Sequence, residues 1–220
     1  MAENQPLPLE RRKTAAYRVV SSIVKVLSFV MFRPRVSGAE AIPAEGPVLI
    51  APIHRSNIDF VFTLFLSRRK CFFMAKDSLF RIPVIRQVFM AMGAFPVKRG
   101  TADRESLALA EACLQEGLPL VLFPEGTRRE GFHVTELHDG AAFVAARTGA
   151  VIVPVGIGGS ERAMPKGSKM IRPTRITVVV GTPVQPPVTQ GRIPRSVVAA
   201  KSEELRLNLE AAYHASLSAN

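Results

Sequence analysis

The chain has 220 residues, enough for one ordinary domain or for one domain with a short appendage, and this length excludes a second full domain. With 47% hydrophobic and 21% charged residues it can bury a sizeable core, which excludes general disorder. The two cysteines, Cys71 and Cys113, are too few for a disulfide framework. Their apolar surroundings predict buried thiols and a reducing, cytosolic environment.

The formal net charge of +11 calls for an anionic partner: nucleic acid, anionic lipid or a phosphorylated substrate. The basic excess is concentrated in residues 1–35, 68–100 and 141–200. A nucleic-acid-binding module is disfavoured, because the chain has two tyrosines, no tryptophan, no zinc-finger spacing and no recognition-helix pattern. We therefore expect a lipid surface or a phosphorylated substrate, and no nucleic acid.

The first strongly apolar segment is residues 19–32, which as a helix would be about 21 Å long. This is too short to cross about 30 Å of bilayer hydrocarbon. Lys25 interrupts the segment, and a narrow polar stripe runs along one side of the helix (Arg18, Ser21, Ser22, Lys25 and Ser28). The pattern favours an interfacial helix, with a core helix of the soluble domain as the alternative. We expect a membrane-associating segment at residues 1–33 and one folded domain at residues 34–220.

The remaining chain alternates short apolar runs with helical periods, which is typical of an α/β fold. The predicted strands are residues 48–51, 71–75, 94–97, 120–123, 151–155 and 176–180. The predicted helices are residues 57–66, 83–92, 103–115 and 140–148, followed by a surface helix at residues 196–217. Because the strands are almost continuously apolar, we expect a largely parallel central sheet with helices on both faces. Ligands of such folds bind in the loops at the carboxyl ends of the strands.

The loop after the first of these predicted strands contains His54 and Asp59. On one continuous helix the two side chains could not meet, so a turn must bring them together. Ser56 or Asn57 could cap a helix beginning near Ile58, which would leave His54 in the loop and Asp59 in the first helical turn. Asp59 could then orient the imidazole as a general base for a hydroxyl. A purely structural histidine is the alternative.

Three further strand ends have chemically suggestive residues. One strand leads to Lys98 and Arg99, a plausible phosphate site, and another leads to residues 123–128, which include Glu125, Gly126, Thr127 and Arg128. The third contains Pro154, which removes a ladder donor and predicts a strand end or a bulge at that position. Each segment alone could be an ordinary turn with solvated charges.

Taken together, these segments resemble the glycerolipid acyltransferase family, specifically the 1-acyl-sn-glycerol-3-phosphate acyltransferases. The resemblance extends over residues 34–184. His54 and Asp59 match the family's H-x4-D motif, while residues 95–100, residues 123–128 and residues 153–155 match its other three blocks. The resemblance implies that His54 is the base and Asp59 its orienter. It also implies that basic and loop residues hold the acceptor's glycerol and phosphate, namely Lys76, Lys98, Arg99, Glu125, Gly126, Thr127 and Arg128.

The sequence departs from the family pattern at Ile53, at Arg129 and at residues 138–140. These departures leave the acceptor open: lysophosphatidic acid is expected, with glycerol 3-phosphate, another lysophospholipid or a glycosylated phospholipid as alternatives. The acyl chain needs an apolar slot, for which the candidates are Phe72, Phe73, Phe89 and Met92. Ordinary core packing is the alternative for each of these four side chains.

The expected donor is an acyl thioester, acyl-CoA or acyl carrier protein, which is already activated, so we expect no metal and no other cofactor. Direct attack by the acceptor hydroxyl is the simplest course, since no serine or cysteine motif marks a nucleophile. The expected location is the cytoplasmic face of the cell membrane, as a peripheral or monotopic protein. The alternative from another class is a metal-dependent hydrolase using His54, Asp59, Glu125, His133 and His138, although no typical ligand spacing is present.

Overall fold

The computed structural model describes residues 14–97, 104–168, 170–187 and 191–220. These residues form a seven-stranded sheet in the order β1-β7-β6-β2-β5-β3-β4. Among the described strands only the β6–β7 pair is antiparallel, so the sheet is largely parallel. The strands are β1 (Arg35–Ser37), β2 (Val48–Pro52), β3 (Phe72–Lys76), β4 (Ala94–Val97), β5 (Leu120–Val121), β6 (Val151–Gly158) and β7 (Thr177–Val180).

Helices flank the sheet in two groups. In one group, α1 contacts α2 and α3; in the other, α5 lies between α4 and α7, and α7 packs along β6 and β7. The helices are α1 (Thr14–Phe32), α2 (Asp59–Thr63), α3 (Pro83–Ala91), α4 (Arg104–Gln115), α5 (Gly140–Thr148), α6 (Ser160–Ala163) and α7 (Arg195–Ser218). The expected α/β architecture with a largely parallel sheet is confirmed.

The close contact between α7 and β6 depends on glycine. A Cβ atom at Gly156 would lie 2.2 Å from the main-chain oxygen of Ala212, and one at Gly158 would lie 2.6 Å from that of Ser216. Because only a strand without side chains at these positions lets the helix backbone approach so closely, α7 can pack directly on β6 and β7.

Pro154 lies inside β6, where it pairs with Ala51 of β2, so the strand does not end there. The expected bulge is present, because the antiparallel register shifts by one residue between the Val155–Val180 and Ile152–Val184 pairs. Its own oxygen accepts a hydrogen bond from the N–H of Gly181, between the Ile152–Val184 bridge and the β7 ladder. The extra residue lies in the neighbouring segment, where residues 181–183 are opposite Val153 and Pro154 and the proline offers no donor.

Helix α1 buries part of the predicted polar stripe and exposes apolar side chains, while Arg18 and Ser22 of the stripe are also exposed. Ser21 and Ser28 of the predicted polar stripe are buried against the domain, and Phe32 packs edge-on against Phe62 of α2. The exposed side also includes large apolar side chains, namely Val19, Ile23, Val26, Leu27, Phe29, Val30 and Met31. None of the described helices combines the length and the apolar character that crossing a membrane requires.

Candidate active site

The loop after β2 brings His54 and Asp59 together. The His54 Nδ1 atom lies 3.1 Å from Asp59 Oδ2, with the His54 residue 7% exposed and Asp59 fully buried. The same carboxylate oxygen accepts main-chain N–H bonds from Arg55 and Ser56, each at 2.7 Å. Three donors therefore converge on one oxygen of a buried carboxylate, which fixes both the loop and the imidazole.

This turn is built differently from the expected cap. Helix α2 begins at Asp59, and the residue before it, Ile58, makes no side-chain cap hydrogen bond. Asp59 instead reaches back to the two preceding N–H groups, while the Ser56 hydroxyl donates to the main-chain oxygen of Met164 at 2.8 Å. Neither Ser56 nor Asn57 directly precedes the helix as an N-cap would, but the Ser56 hydroxyl accepts a hydrogen bond from the Ile58 N–H at 3.5 Å, so part of its predicted role is retained.

The geometry suits general-base chemistry. Since Nδ1 faces Asp59, Nε2 is the imidazole nitrogen left to take a proton from a substrate. The carboxylate would stabilise the imidazolium that such a transfer forms. The imidazole also lies against the Phe123 ring, with the ring centroids 4.2 Å apart, which restricts its rotation.

A second buried pair, Arg55 and Glu125, holds the main chain of the dyad loop. The Arg55 Nη1 atom donates to both oxygens of Glu125, at 2.7 and 2.9 Å, and the His54 main-chain N–H donates to Glu125 Oε2 at 2.8 Å. Arg55 also lies over the ring of Tyr213, and burial raises the pKa of that phenol, so it stays neutral beneath the guanidinium. Arg55 was not a predicted site residue; a basic residue directly after the motif histidine was the only available signal.

The segment after β5 contributes the remaining predicted loop residues. Glu125 is fully buried, whereas Gly126 and Thr127 are exposed and Arg128 is half-buried. Gly126 has a φ of 65°, a left-handed conformation that favours glycine, and a Cβ atom there would lie 2.7 Å from the His138 ring. The exposed part of this segment is thus available to a ligand, while Glu125 holds the His54 loop.

The predicted basic residues are only partly described. Lys98 and Arg99 lie outside the described residues, immediately after β4. Lys76 is the last residue of β3, and its side chain lies outside the described part of the structure. Because β2, β3, β4 and β5 are parallel neighbours, their carboxyl ends meet at the same edge of the sheet as His54.

The predicted acyl-slot residues do not all lie together. Phe73 stacks on Phe60 of α2 with ring centroids 5.3 Å apart, and Phe89 of α3 completes this cluster. Phe72 precedes Phe73 on β3 and points to the other side of the sheet. Phe72 and Met92 are both fully buried core side chains, whereas Phe89 is half-buried.

A family model described as "Acyltransferase" matches residues 33–158, more than half of the chain. The chain belongs to this acyltransferase family. The matched region contains the His54–Asp59 dyad, the Arg55–Glu125 pair and the exposed loop residues after β5.

Curated relatives have consistent names. A 1-acyl-sn-glycerol-3-phosphate acyltransferase of Chlamydomonas reinhardtii is 34% identical over 149 residues, which cover 66% of this chain and 44% of the relative. The chloroplastic enzyme of that name from Arabidopsis thaliana is 31% identical over 162 residues, covering 71% and 45%. The chain thus spans less than half of the length of these two relatives. A Bacillus subtilis protein of the same name is 26% identical over 170 residues, covering 76% and 82%.

Among solved structures, the crystal structure of the 1-acyl-sn-glycerophosphate acyltransferase PlsC from Thermotoga maritima superposes with a TM-score of 0.74. The two chains are 22% identical, and the likeness covers 93% of this chain and 82% of that one. This similarity supports the fold, including the mostly parallel sheet.

The five residues of the hydrolase alternative do not form a metal-ligand cluster in the described part of the chain. Glu125 is engaged by Arg55, and His133 points instead to Glu210 of α7, with its Nδ1 atom 3.1 Å from Glu210 Oε1. The geometry therefore does not favour a hydrolytic metal centre at His54.

Proposed function

We propose that this protein transfers a fatty acyl group from an acyl thioester to the free hydroxyl of lysophosphatidic acid, forming phosphatidic acid for phospholipid synthesis. The observation that carries the proposal is the His54–Asp59 dyad at the carboxyl edge of the sheet, with Nδ1 and Oδ2 3.1 Å apart. The names of the relatives favour the same reaction and the same acceptor.

In this reaction His54 Nε2 takes the proton of the acceptor hydroxyl while the hydroxyl oxygen attacks the thioester carbonyl carbon. A carbon–oxygen bond forms, and the tetrahedral intermediate then collapses with cleavage of the carbon–sulfur bond. The proton held by His54 passes to the departing thiolate, so the histidine ends neutral. Asp59 stabilises the imidazolium between the two steps.

The acceptor's phosphate would lie among the basic groups at this edge: Lys76, Lys98, Arg99 and Arg128. Arg128 is half-buried, and Gly126 and Thr127 beside it present an exposed backbone and a hydroxyl. Charge-assisted hydrogen bonds of this kind each contribute about 1.5–3 kcal/mol. We assign Glu125 a positioning role, because both of its oxygens are already bonded to the Arg55 side chain and one also to the His54 main chain.

The acyl chain would follow the aromatic cluster next to the dyad. Phe60 directly follows Asp59 in α2, and its ring contacts both Phe73 and Phe89. An alkyl chain along these rings would place its thioester carbonyl near His54. Phe72 and Met92 would support this lining from the core rather than contact the chain. Acyl-CoA and acyl carrier protein both satisfy the chemistry as donors, with no further cofactor.

The exposed apolar side of α1 would contact the membrane. Val26, Leu27 and Val30 are among its most exposed side chains, and Ile82 and Val84 at the start of α3 add exposed apolar surface. Arg33 and Arg35, next to the end of α1, are both exposed and could meet anionic headgroups. This arrangement would hold the protein on the cytoplasmic face of the cell membrane, beside its lipid acceptor.

An assay of the purified protein with a panel of lyso-acceptors and acyl donors tests the function. We expect a phosphatidic acid product from lysophosphatidic acid with acyl-CoA or acyl carrier protein.

Arg128→Ala should raise the acceptor KM by about 10- to 150-fold and affect the donor KM less. Arg147→Ala provides the control: Arg147 is in the last turn of α5, just before the amino end of β6 and so at the opposite edge of the sheet, and its loss should leave the acceptor KM unchanged. Transfer only to glycerol 3-phosphate or to a glycosylated lipid would overturn the acceptor assignment.

A further inference from the structure

A second cluster of ligand-type side chains lies outside the dyad. His133, in the loop after residues 123–128, has its Nδ1 atom 3.1 Å from Oε1 of Glu210 on α7. His214, one helical turn further along α7, has its Nε2 atom 3.9 Å from the same oxygen. The three ligand atoms all lie within 4.8 Å of one another. In the described part of the chain no other set of three potential ligands is this close.

The chemistry of this set is that of a transition-metal site. Two imidazoles and one carboxylate are typical ligands of Zn²⁺, which binds them at about 2.0–2.2 Å. Tetrahedral coordination at that radius separates ligand atoms by roughly 3.3 Å. The His133–Glu210 distance of 3.1 Å already fits this value, whereas the other separations, of up to 4.8 Å, must shorten. The His133 side chain is 82% exposed, so the small rotation needed to close the site is sterically free.

The carboxylate is also oriented by a neighbour. Arg206 Nη1 donates to Glu210 Oε2 at 3.0 Å, which leaves Oε1 facing the two histidines. Hydrogen bonds of this kind to a ligating carboxylate fix its direction in metal sites.

We propose that His133, Glu210 and His214 bind a divalent transition-metal ion of the zinc type, with one coordination position left for water. The ion would link the loop that contains His133 to helix α7. The main-chain oxygens of Gly131 and His133 accept hydrogen bonds from Arg55 Nε and Nη2, at 3.2 and 3.0 Å, and Arg55 holds Glu125. Metal binding therefore stabilises the loop that positions the His54 backbone.

The test is a titration of the full chain, free of any affinity tag, with Co²⁺ followed by its visible absorption and then displaced by Zn²⁺. We expect one saturable equivalent per chain and a rise in Tm with Zn²⁺. Glu210→Gln and His214→Ala should each weaken binding by at least about tenfold.

Glu203→Gln is the matched control, because Glu203 also pairs with Arg206, at 2.7 Å, but does not belong to the cluster. It should bind Co²⁺ as the wild type does. His138→Ala, which removes the other exposed histidine, should also leave binding unchanged. Circular dichroism establishes that each variant is folded. The proposal is overturned if the wild type shows no saturable binding, if His214→Ala binds normally, or if Glu203→Gln weakens binding as much as Glu210→Gln.

Discussion

Asp59 is the residue on which the proposed chemistry depends most closely after His54. Its Oδ2 atom receives three donors, and its Oδ1 atom is buried with no partner in the described part of the chain. A buried carboxylate with one unpaired oxygen is costly for stability. Such a cost is expected where a negative charge is kept for a second role, here the stabilisation of an imidazolium.

Asp59→Asn should therefore lower kcat by about 10²–10⁴-fold, because the amide cannot stabilise the imidazolium. The acceptor KM should change little, since Asp59 is a positioning residue that does not contact the substrate. Steady-state kinetics measure both parameters. Asp139→Asn, an isosteric change at a carboxylate bonded to Ser202 at 2.6 Å, is the control and should retain activity. A large rise in acceptor KM with unchanged kcat would contradict this role.

The Arg55–Glu125 pair leads to a stability prediction. Replacing Arg55 with Met leaves a buried, uncompensated carboxylate and should lower the free energy of unfolding by about 3–5 kcal/mol. Chemical denaturation measures this change. Arg129→Met alters an exposed arginine in the neighbouring loop and should cost less than about 0.5 kcal/mol. Equal losses for the two variants would show that the buried pair is not a structural support.

The sequence predicted the dyad but not its surroundings. The spacing of His54 and Asp59 required a turn, and a turn is what the structure has. The way Asp59 collects the N–H groups of Arg55 and Ser56 was not predictable, because it depends on the loop path after β2. The role of Glu125 was also hidden, since its partner Arg55 is 70 residues away in the chain.

At the scale of secondary structure, most elements lie where hydrophobic periodicity predicted them. Helices α3, α4, α5 and α7 begin within one residue of the predicted positions, and Gly93, Gly117 and Gly149 follow helix ends with positive φ, as expected. The sequence did not reveal β1, a three-residue strand that is largely exposed. A short, polar edge strand has no apolar run and is recognisable only from its partner β7.

Helix α1 shows why periodicity alone could not assign a side to the domain. Ser21 and Ser28 are small enough to allow a close approach to the domain and are buried, whereas Arg18 and Ser22 of the same stripe are exposed beside the outward-facing apolar residues. The sequence pattern of such a helix is compatible with either side facing the domain. The proposed membrane contact therefore belongs to the outer side only.

Changing Ile23, Leu27 and Val30 together to Ser should detach the protein from anionic phospholipid vesicles, because these exposed residues lie on one side of α1. Cosedimentation with vesicles measures the bound fraction. A control variant changes three exposed apolar residues elsewhere, Met170, Ile171 and Leu207, to Ser and should remain bound. If the α1 variant sediments like the wild type, another surface is the anchor.

The α7–β6 contact yields a second prediction at this scale. Gly156→Ala would force a methyl group to within 2.2 Å of a helix main-chain oxygen, and we expect a loss of about 3 kcal/mol or more in unfolding free energy. Gly140→Ala, where the new methyl group would meet only a Leu107 methyl group at 3.6 Å, should be neutral or slightly stabilising. Thermal unfolding compares the two variants. A tolerated Gly156→Ala would mean that α7 can move away from the sheet at little cost.

For the whole molecule, composition and topology together explain how the site is assembled. A core of apolar strands brings four parallel strand ends to one edge, so residues distant in sequence meet around His54. The two cysteines are confirmed as core residues: burial raises the pKa of Cys71 to about 12 and that of Cys113 to about 11. Both remain neutral thiols at physiological pH and offer no nucleophile, which agrees with direct attack by the acceptor hydroxyl.

The comparison of wild type and His54→Ala in acyl transfer to lysophosphatidic acid tests the central claim most directly. Circular dichroism and Tm should show that the variant is folded. We predict that kcat for phosphatidic acid formation falls by at least about 10²-fold, the usual effect of losing a general base. A folded His54→Ala protein that keeps more than about a tenth of the wild-type kcat would contradict the account, because the dyad would then not be the base.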